Sequence, residues 1–176
     1  MDKKTDLYKA LQLISEKRWE DLSISDFPLD LNLVRKEDVF KLLFEEVLED
    51  VKRQLSPESM AAYPLREKLL EIFLTKFECL SPYKEPLKEI LKNSWAFVPI
   101  MGPILMQEYP HHRQLLEFYG ITGPTFVAEI QSNGLFVIYG MVLRTWLQEE
   151  EESLPKTSAY LDKLLREGEK LLERYS

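Results

Sequence analysis

Residues Gly134 to Leu147, GLFVIYGMVLRTWL, constrain the fold more than any other stretch, because they are apolar round nearly the whole helical circumference and carry one charge, Arg144. A helix of that kind has to be covered on every side. Within 176 residues the cover comes from the chain's own helices, from a second copy, or from an apolar ligand held between helices. All three are binding roles, and none requires a catalytic centre.

Composition narrows the class further. The length suits one domain of ordinary size with a proper core, and 45% hydrophobic with 30% charged residues describes a globular protein. A net charge of -7 leaves no domain-wide basic field to attract a phosphate backbone. The single cysteine, Cys79, excludes an internal disulfide and fits a reducing, cytoplasmic setting; its context, KFECLSP, reads as a buried helix interior. The opening MDKKTDLYKALQLISEKRW places a charge every few positions, unlike a signal peptide. The uncharged runs Asn93 to Gln107 and Ile130 to Leu143 fall short of the roughly 20 residues that cross a bilayer, so no transmembrane segment is expected.

Helical periodicity recurs along the chain and strand alternation almost never does, so the expected fold is all-α. Leu7, Ala10, Leu11 and Ile14 predict a first amphipathic helix closing near Trp19. Ser25, Asp26, Pro28 and Asp30 break the region to Asn32, with about a turn of helix at Ser23 to Phe27. Val39, Leu42, Leu43, Val47, Val51 and Leu55 predict a long helix with an acidic outer face. Ser56-Pro57 and Ser81-Pro82 punctuate the chain on either side of a helix carrying Leu65, Leu69, Ile72, Phe73, Lys76 and Phe77. A short helix with Leu87, Ile90 and Leu91 ends around Asn93. Pro99, Pro103 and Pro110 should break or kink the apolar segment that follows, and Gly120 is a plausible C-cap. The next helix starts near Thr122 to Pro124 and runs to the acidic Glu149 to Glu152, with Gln131 to Gly134 as its weak point. A final helix begins near Pro155, with Leu161, Leu164, Leu165, Gly168, Leu171, Leu172 and Tyr175 on one stripe.

The segments LREKLLEIFLTKFECLSPYKEPLKEIL, LLEFYGI and GLFVIYGMVLRTWLQEEEESLPKTSAYLDKLLREGEKLLE resemble the C-terminal domain of certain alphaproteobacterial TetR-type proteins and of the related ubiquinone-biosynthesis lipid-binding accessory family. The specific elements are KFECLSPYK, RTWLQEEEESL and TSAYLDKLLREGE, none of them catalytic. The resemblance implies a TetR-like helical bundle, with a degenerate N-terminal helix-turn-helix region over residues 1–55 and a ligand-binding and dimerisation domain over 56–176.

The N-terminal segments LYKALQLISEKRWEDLSISDF and KEDVFKLLFEEVLE resemble the first and fourth helices of a TetR DNA-binding domain. Between Trp19 and Lys36 lie only about 16 positions, short for a positioning helix, a turn and a recognition helix. They hold Pro28 and no glycine, and PLDLNLV offers little to read base edges. Residues 1–55 carry 13 acidic against 10 basic side chains. DNA binding is therefore disfavoured; Lys17, Arg18, Arg35 and Lys36 are the residues it would use, and scattered solvated charge is their simpler role.

With the reader reduced, the helical body is the expected seat of activity. Phe73, Phe77, Trp95, Phe97, Met101, Leu105, Met106, Phe118 and Tyr139 supply side chains of the kind that line apolar pockets, or that fill an ordinary core. The resemblance implies a long apolar ligand, a lipid, isoprenoid or quinone intermediate, and a quinone-biosynthesis enzyme as partner. It also implies a homodimer through the last two helices, with Phe136, Met141, Leu161, Leu164, Leu165, Gly168 and Leu172 at the interface. The mixed charge of the last helix favours such docking over a membrane surface. His111 and His112 lack the spacing of a zinc helix and are expected to be surface or capping histidines, and the Glu149 to Glu152 run a solvated helix end. No metal, no cofactor and no enzymatic activity are expected.

Overall fold

A computed structural model describes residues 3–94, 101–121 and 126–175, without side chains at 92–94, 101, 103, 126–128 and 172–175. Helix α1 spans Lys3–Glu16 and α2 Asp38–Gln54, with α3 at Leu65–Leu80, α4 at Lys84–Ser94, α5 at Met101–Phe118, α6 at Phe126–Gln148 and α7 at Pro155–Tyr175. Single 3-10 turns occupy Trp19–Asp21, Ile24–Asp26, Leu29–Leu31 and Ser81–Tyr83. Among the described residues there is no strand.

The chain packs as two compact units, Met1–Glu49 with Leu80–His111, and Asp50–Cys79 with His112–Ser176. In the first, α1 buries Leu7, Ala10, Leu11 and Ile14 against α4, as their three-and-four spacing requires. Leu87, Ile90 and Leu91 answer from α4, and Val39, Phe40, Leu43 and Val47 of α2 are also buried. In the second, α6 packs along α7. Its core holds Leu69, Ile72, Phe73 and Phe77 of α3, Leu115 and Leu116 of α5, Tyr139, Val142 and Trp146 of α6, and Leu161 and Leu165 of α7.

Chain punctuation follows local chemistry. Gly120 adopts a left-handed φ of 67°. It closes α5 with the paired bonds of a Schellman turn, Ile121 N–H to the Leu116 carbonyl at 2.9 Å and Gly120 N–H to that of Glu117 at 3.0 Å. The Tyr119 hydroxyl shares its one proton between the carbonyls of Leu55 at 3.0 Å and Val51 at 3.4 Å, supplying a donor at the end of α2. Burial, and secondarily Cys79, pushes its pKa up to about 12. Cys79 is buried, as its helical context predicts, and accepts a bond from Gln54 at 3.3 Å.

Helix α5 runs from Met101 to Phe118 with Pro103 in its first turn, where no N–H is needed, and Pro110 in its interior, while Pro99 lies outside the described residues. Helix α6 continues through Gln131 to Gly134, its weakest stretch by intrinsic propensity, because packing supports it. One expectation is corrected. The acidic run after α6 is not simply solvated. Glu149 is buried, and its carboxylate accepts from the N–H groups of Lys156 at 2.7 Å and Thr157 at 2.9 Å, in the first turn of α7. Burial would raise its pKa, but Thr157, the two N–H donors and the Lys156 charge together lower it. The clamp steadies a corner in which buried Leu154 holds a left-handed φ of 51° just before Pro155.

Candidate functional site

The segment between α1 and α2 contains three 3-10 turns and no α-helix. Its polar groups are spent on itself. Ser23 and Asp26 close a capping box, with the Ser23 N–H donating to Asp26 at 2.7 Å, and those bonds lower the Asp26 pKa. Asn32 ends the third turn in the left-handed region that asparagine tolerates. The Asp38 carboxylate accepts from the N–H groups of Arg35 at 2.8 Å and Val34 at 3.2 Å.

The basic residues singled out for DNA follow the same economy. Lys36 Nζ donates to the carbonyls of Trp19 at 2.7 Å and Leu22 at 3.2 Å and sits 4.6 Å from the Trp19 ring centroid. Arg35 pairs with Asp38 at 3.4 Å and Arg18 with Glu20 at 3.8 Å, while Lys17 interacts with Asp26. Arg18 and Arg35 keep 78% and 67% of their side chains exposed beside those carboxylates, and the apolar Leu29 and Val34 are exposed at 87% and 79%.

In the unit that holds α6 and α7, aromatic side chains from α3, α5 and α6 converge. Tyr139 stacks on Phe77 at 5.4 Å and meets Phe73 at 6.1 Å, and Phe77 stacks on Trp146 at 5.4 Å. Three of the residues expected to line a pocket thus come together, but as close-packed core. Phe118 lies elsewhere on this unit, part-exposed, edge-on to Tyr119 and beneath Lys52. Leu105 and Met106 are exposed on α5. Trp95 and Phe97 lie outside the described residues, as does the side chain of Met101.

The cluster surrounds a residue assigned to the surface by sequence. His112 is 0% exposed and ringed by Phe136 at 5.2 Å, Phe73 at 5.7 Å and Tyr139 at 6.0 Å. Neither Nδ1 nor Nε2 has a hydrogen-bond partner, and the same is true of the buried Ser132 hydroxyl. The Ser132 main chain lies near enough to favour a protonated ring, but outside hydrogen-bonding geometry. Burial first, and the Lys76 charge second, lower the imidazole pKa to about 2, so the ring is neutral. Lys76, itself buried, places Nζ 4.0 Å from the Tyr139 centroid. His111 is also buried, bonded through Nδ1 to the Gln107 carbonyl at 2.6 Å. Both histidines therefore correct the surface expectation, because their helix face is covered. Among the described residues no three His, Cys, Asp or Glu side chains gather closely enough to hold a metal ion.

Beside this core lies an apolar groove of about 280 Å³. Leu65 and Leu69 of α3, Ile130, Leu135 and Ile138 of α6, Leu165 and Leu171 of α7, and Ile121 form its walls, with Gly134 and Gly168 leaving room. Arg66, Gln131 and Glu169 are its polar rim, and Arg66 is engaged by Asp162 at 3.6 Å. The volume sits at the lower edge of the roughly 300–1,000 Å³ typical of small-molecule sites. Sequence reading favoured the large aromatics and missed these aliphatic residues, which sit where three helices diverge.

The residues expected at a dimer interface divide. Leu161 and Leu165 are buried by the chain's own packing, Leu164 and Gly168 are half-buried, and the Leu172 side chain is not among those described. Phe136 is half-buried with its ring against His112, whereas Met141 is exposed. Met141 continues a stripe with Ile130 and Val137, the latter 61% exposed, at helical spacings of seven and four.

No family model matches this chain, and no curated protein matches it. Among solved structures it is similar to the crystal structure of the TetR transcriptional regulator from Nitrosomonas europaea ATCC 19718, at 15% identity and a TM-score of 0.64. The match covers 94% of this chain and 97% of that one. The fold is therefore an all-helical, TetR-like bundle. No helix among the described residues is long and apolar enough to cross a membrane.

Proposed function

We propose that this chain is a non-enzymatic, cytoplasmic, TetR-fold protein that binds an apolar small molecule or lipid in its helical body and acts as a homodimer. The groove between α3, α6 and α7 carries this reading, since a surface lined by leucine and isoleucine favours an apolar occupant. The finer assignment follows the sequence resemblance: an isoprenoid or quinone intermediate as ligand, an accessory role in ubiquinone biosynthesis, and a quinone-biosynthesis enzyme as partner. The Ile130, Val137 and Met141 stripe beside the groove favours a second copy as its cover.

N-phenyl-1-naphthylamine, an apolar dye that brightens on leaving water, tests the groove. It is expected to bind the native protein and to lose affinity at least tenfold in Leu135→Trp, which fills the groove. Equal binding to both proteins would remove the groove as the site.

The second reading, a diverged transcriptional regulator that binds DNA as a dimer, is favoured by the solved neighbour's description as a transcriptional regulator. The three 3-10 turns and the internal use of Lys36 weigh against it. A salt-dependent shift of a duplex would support this reading, and no shift at low salt would remove it.

A further inference from the structure

From the unmatched Glu169 carboxylate in the lining of a largely aliphatic groove, we infer that the occupant of the groove is an apolar cation, an aliphatic chain or skeleton ending in a protonated primary or secondary amine. The inference rests on the groove-binding reading and adds a charge to its ligand. Glu169 is half-buried on α7, next to Gly168, and among the described residues its side chain has neither a hydrogen bond nor an ion pair. The cations that could have matched it are committed elsewhere. Arg66, the one cation lining the groove among the described residues, lies 3.6 Å from Asp162, and Arg166, three residues before Glu169 on the same helix, also pairs with Asp162. Asp162 precedes Glu169 by seven residues, about 10 Å along the helix. Both guanidinium groups are therefore drawn to a carboxylate two turns away, and Lys170 is exposed outside the groove lining.

The chemistry of the end group follows from what surrounds it. An ionised carboxylate accepts hydrogen bonds and donates none, so the head that answers Glu169 must carry N–H or O–H groups. Beside the apolar walls of Leu165, Gly168 and Ile138 the carboxylate is partly withdrawn from water, and a charge-assisted N–H bond gains more there than in open solvent. Among the described residues no aromatic side chain lines the groove, so it offers no cage of rings for a quaternary ammonium, which has no N–H of its own. An anionic head would meet Glu169 as a like charge, and Arg66 offers it a guanidinium already beside Asp162. A hydroxyl can donate one bond but leaves the charge unbalanced. A protonated amine supplies both the donors and the opposite charge, while its aliphatic part rests on Leu69, Leu135 and Leu165.

The test titrates the full chain at pH 7 with octylammonium, octanol and octanoate, following the methyl resonances of Leu135 and Ile138 for groove occupancy. Octylammonium is expected to bind roughly tenfold or more tighter than octanol, and octanoate more weakly than either. Glu169→Gln is expected to abolish the lead of octylammonium while leaving octanol within about twofold. Because the net charge of -7 attracts any cation, Glu167→Gln, which removes an exposed carboxylate outside the groove lining, serves as the matched control and should leave all three affinities within about twofold. Equal affinities for octylammonium and octanol, or equal losses in the two variants, would overturn the amine site and leave the groove standing. Tightest binding of octanoate would also overturn it and assign the head group to Arg66. Methyl resonances unmoved by all three probes would overturn both the amine site and the groove.

Discussion

The segment between α1 and α2 and the faces of α6 treat their side chains in opposite ways. In the first, every polar group described above is consumed locally: Asp26 by Ser23, Asp38 by the Val34 and Arg35 N–H groups, Lys36 by two carbonyls and an indole ring. Leu29 and Val34, exposed there, suit neither phosphate nor base edges, and the exposed Arg18 and Arg35 are paired with carboxylates of the same segment. Around α6 the balance reverses. Its inner face meets an imidazole with no hydrogen-bond partner, and its outer faces present aliphatic side chains to a groove and to solvent. Groups already engaged stabilise a fold, whereas groups left unmatched are available to a ligand or a second copy.

The sharpest way to break this contrast is to ask whether the aromatic cluster is core. Phe77→Ala removes a ring that stacks on both Tyr139 and Trp146 and is expected to cost about 3–5 kcal/mol in urea denaturation. A loss under about 1 kcal/mol would mean that these rings line a cavity after all.

Acid sharpens it next. His112 is held neutral with a pKa near 2, against 6.5 for a free imidazole. Below about pH 6.5 the unfolded chain takes up a proton that the folded chain refuses, so stability is full above that pH and falls as the pH drops toward 2. Between pH 7 and pH 5 this one residue should remove about 2 kcal/mol, and His112→Phe should flatten that part of the profile. An unchanged slope in the variant would show that the ring is hydrated or paired in the native state.

A smaller effect is expected at the corner before α7. Glu149→Gln should cost roughly 1–2 kcal/mol, measured as a lowered denaturation midpoint, because the charge received by the Lys156 and Thr157 N–H groups is lost. With its folded pKa lowered, Glu149 stabilises above the unfolded value of 4.5, and that contribution disappears as the pH falls through the folded value. Smallest of all, Lys36→Ala should cost about 1 kcal/mol in thermal unfolding while leaving affinity for duplex DNA unchanged. A drop in duplex affinity would identify Lys36 as a phosphate contact and return the segment to a reader's role.

Much of the fold was legible in the residues themselves. Leu7 to Ile14, Val39 to Val51, Leu65 to Phe77 and the stripe after Pro155 declare their helices by spacing, and Gly120 declares its cap by conformational freedom. The shortened span between Trp19 and Lys36 already argued against two reader helices, and the 3-10 turns fill it. The candidate site was far less legible. Adjacent histidines beside Pro110 do not reveal which face of α5 is covered, so His112 read as surface. Glu149 looked like one of four solvated carboxylates because its donors lie seven and eight residues away, on the next helix. A groove arises where three helices diverge, a property of packing that the composition of each helix does not encode.

Native mass spectrometry of the protein purified without detergent tests most directly whether the helical body holds an apolar occupant and the segment ahead of it has ceased to read DNA. The account predicts a dimer carrying a bound apolar molecule that is released on activation, and no added mass with a DNA duplex at low salt. An empty protein that takes up duplex DNA in a defined ratio would contradict it.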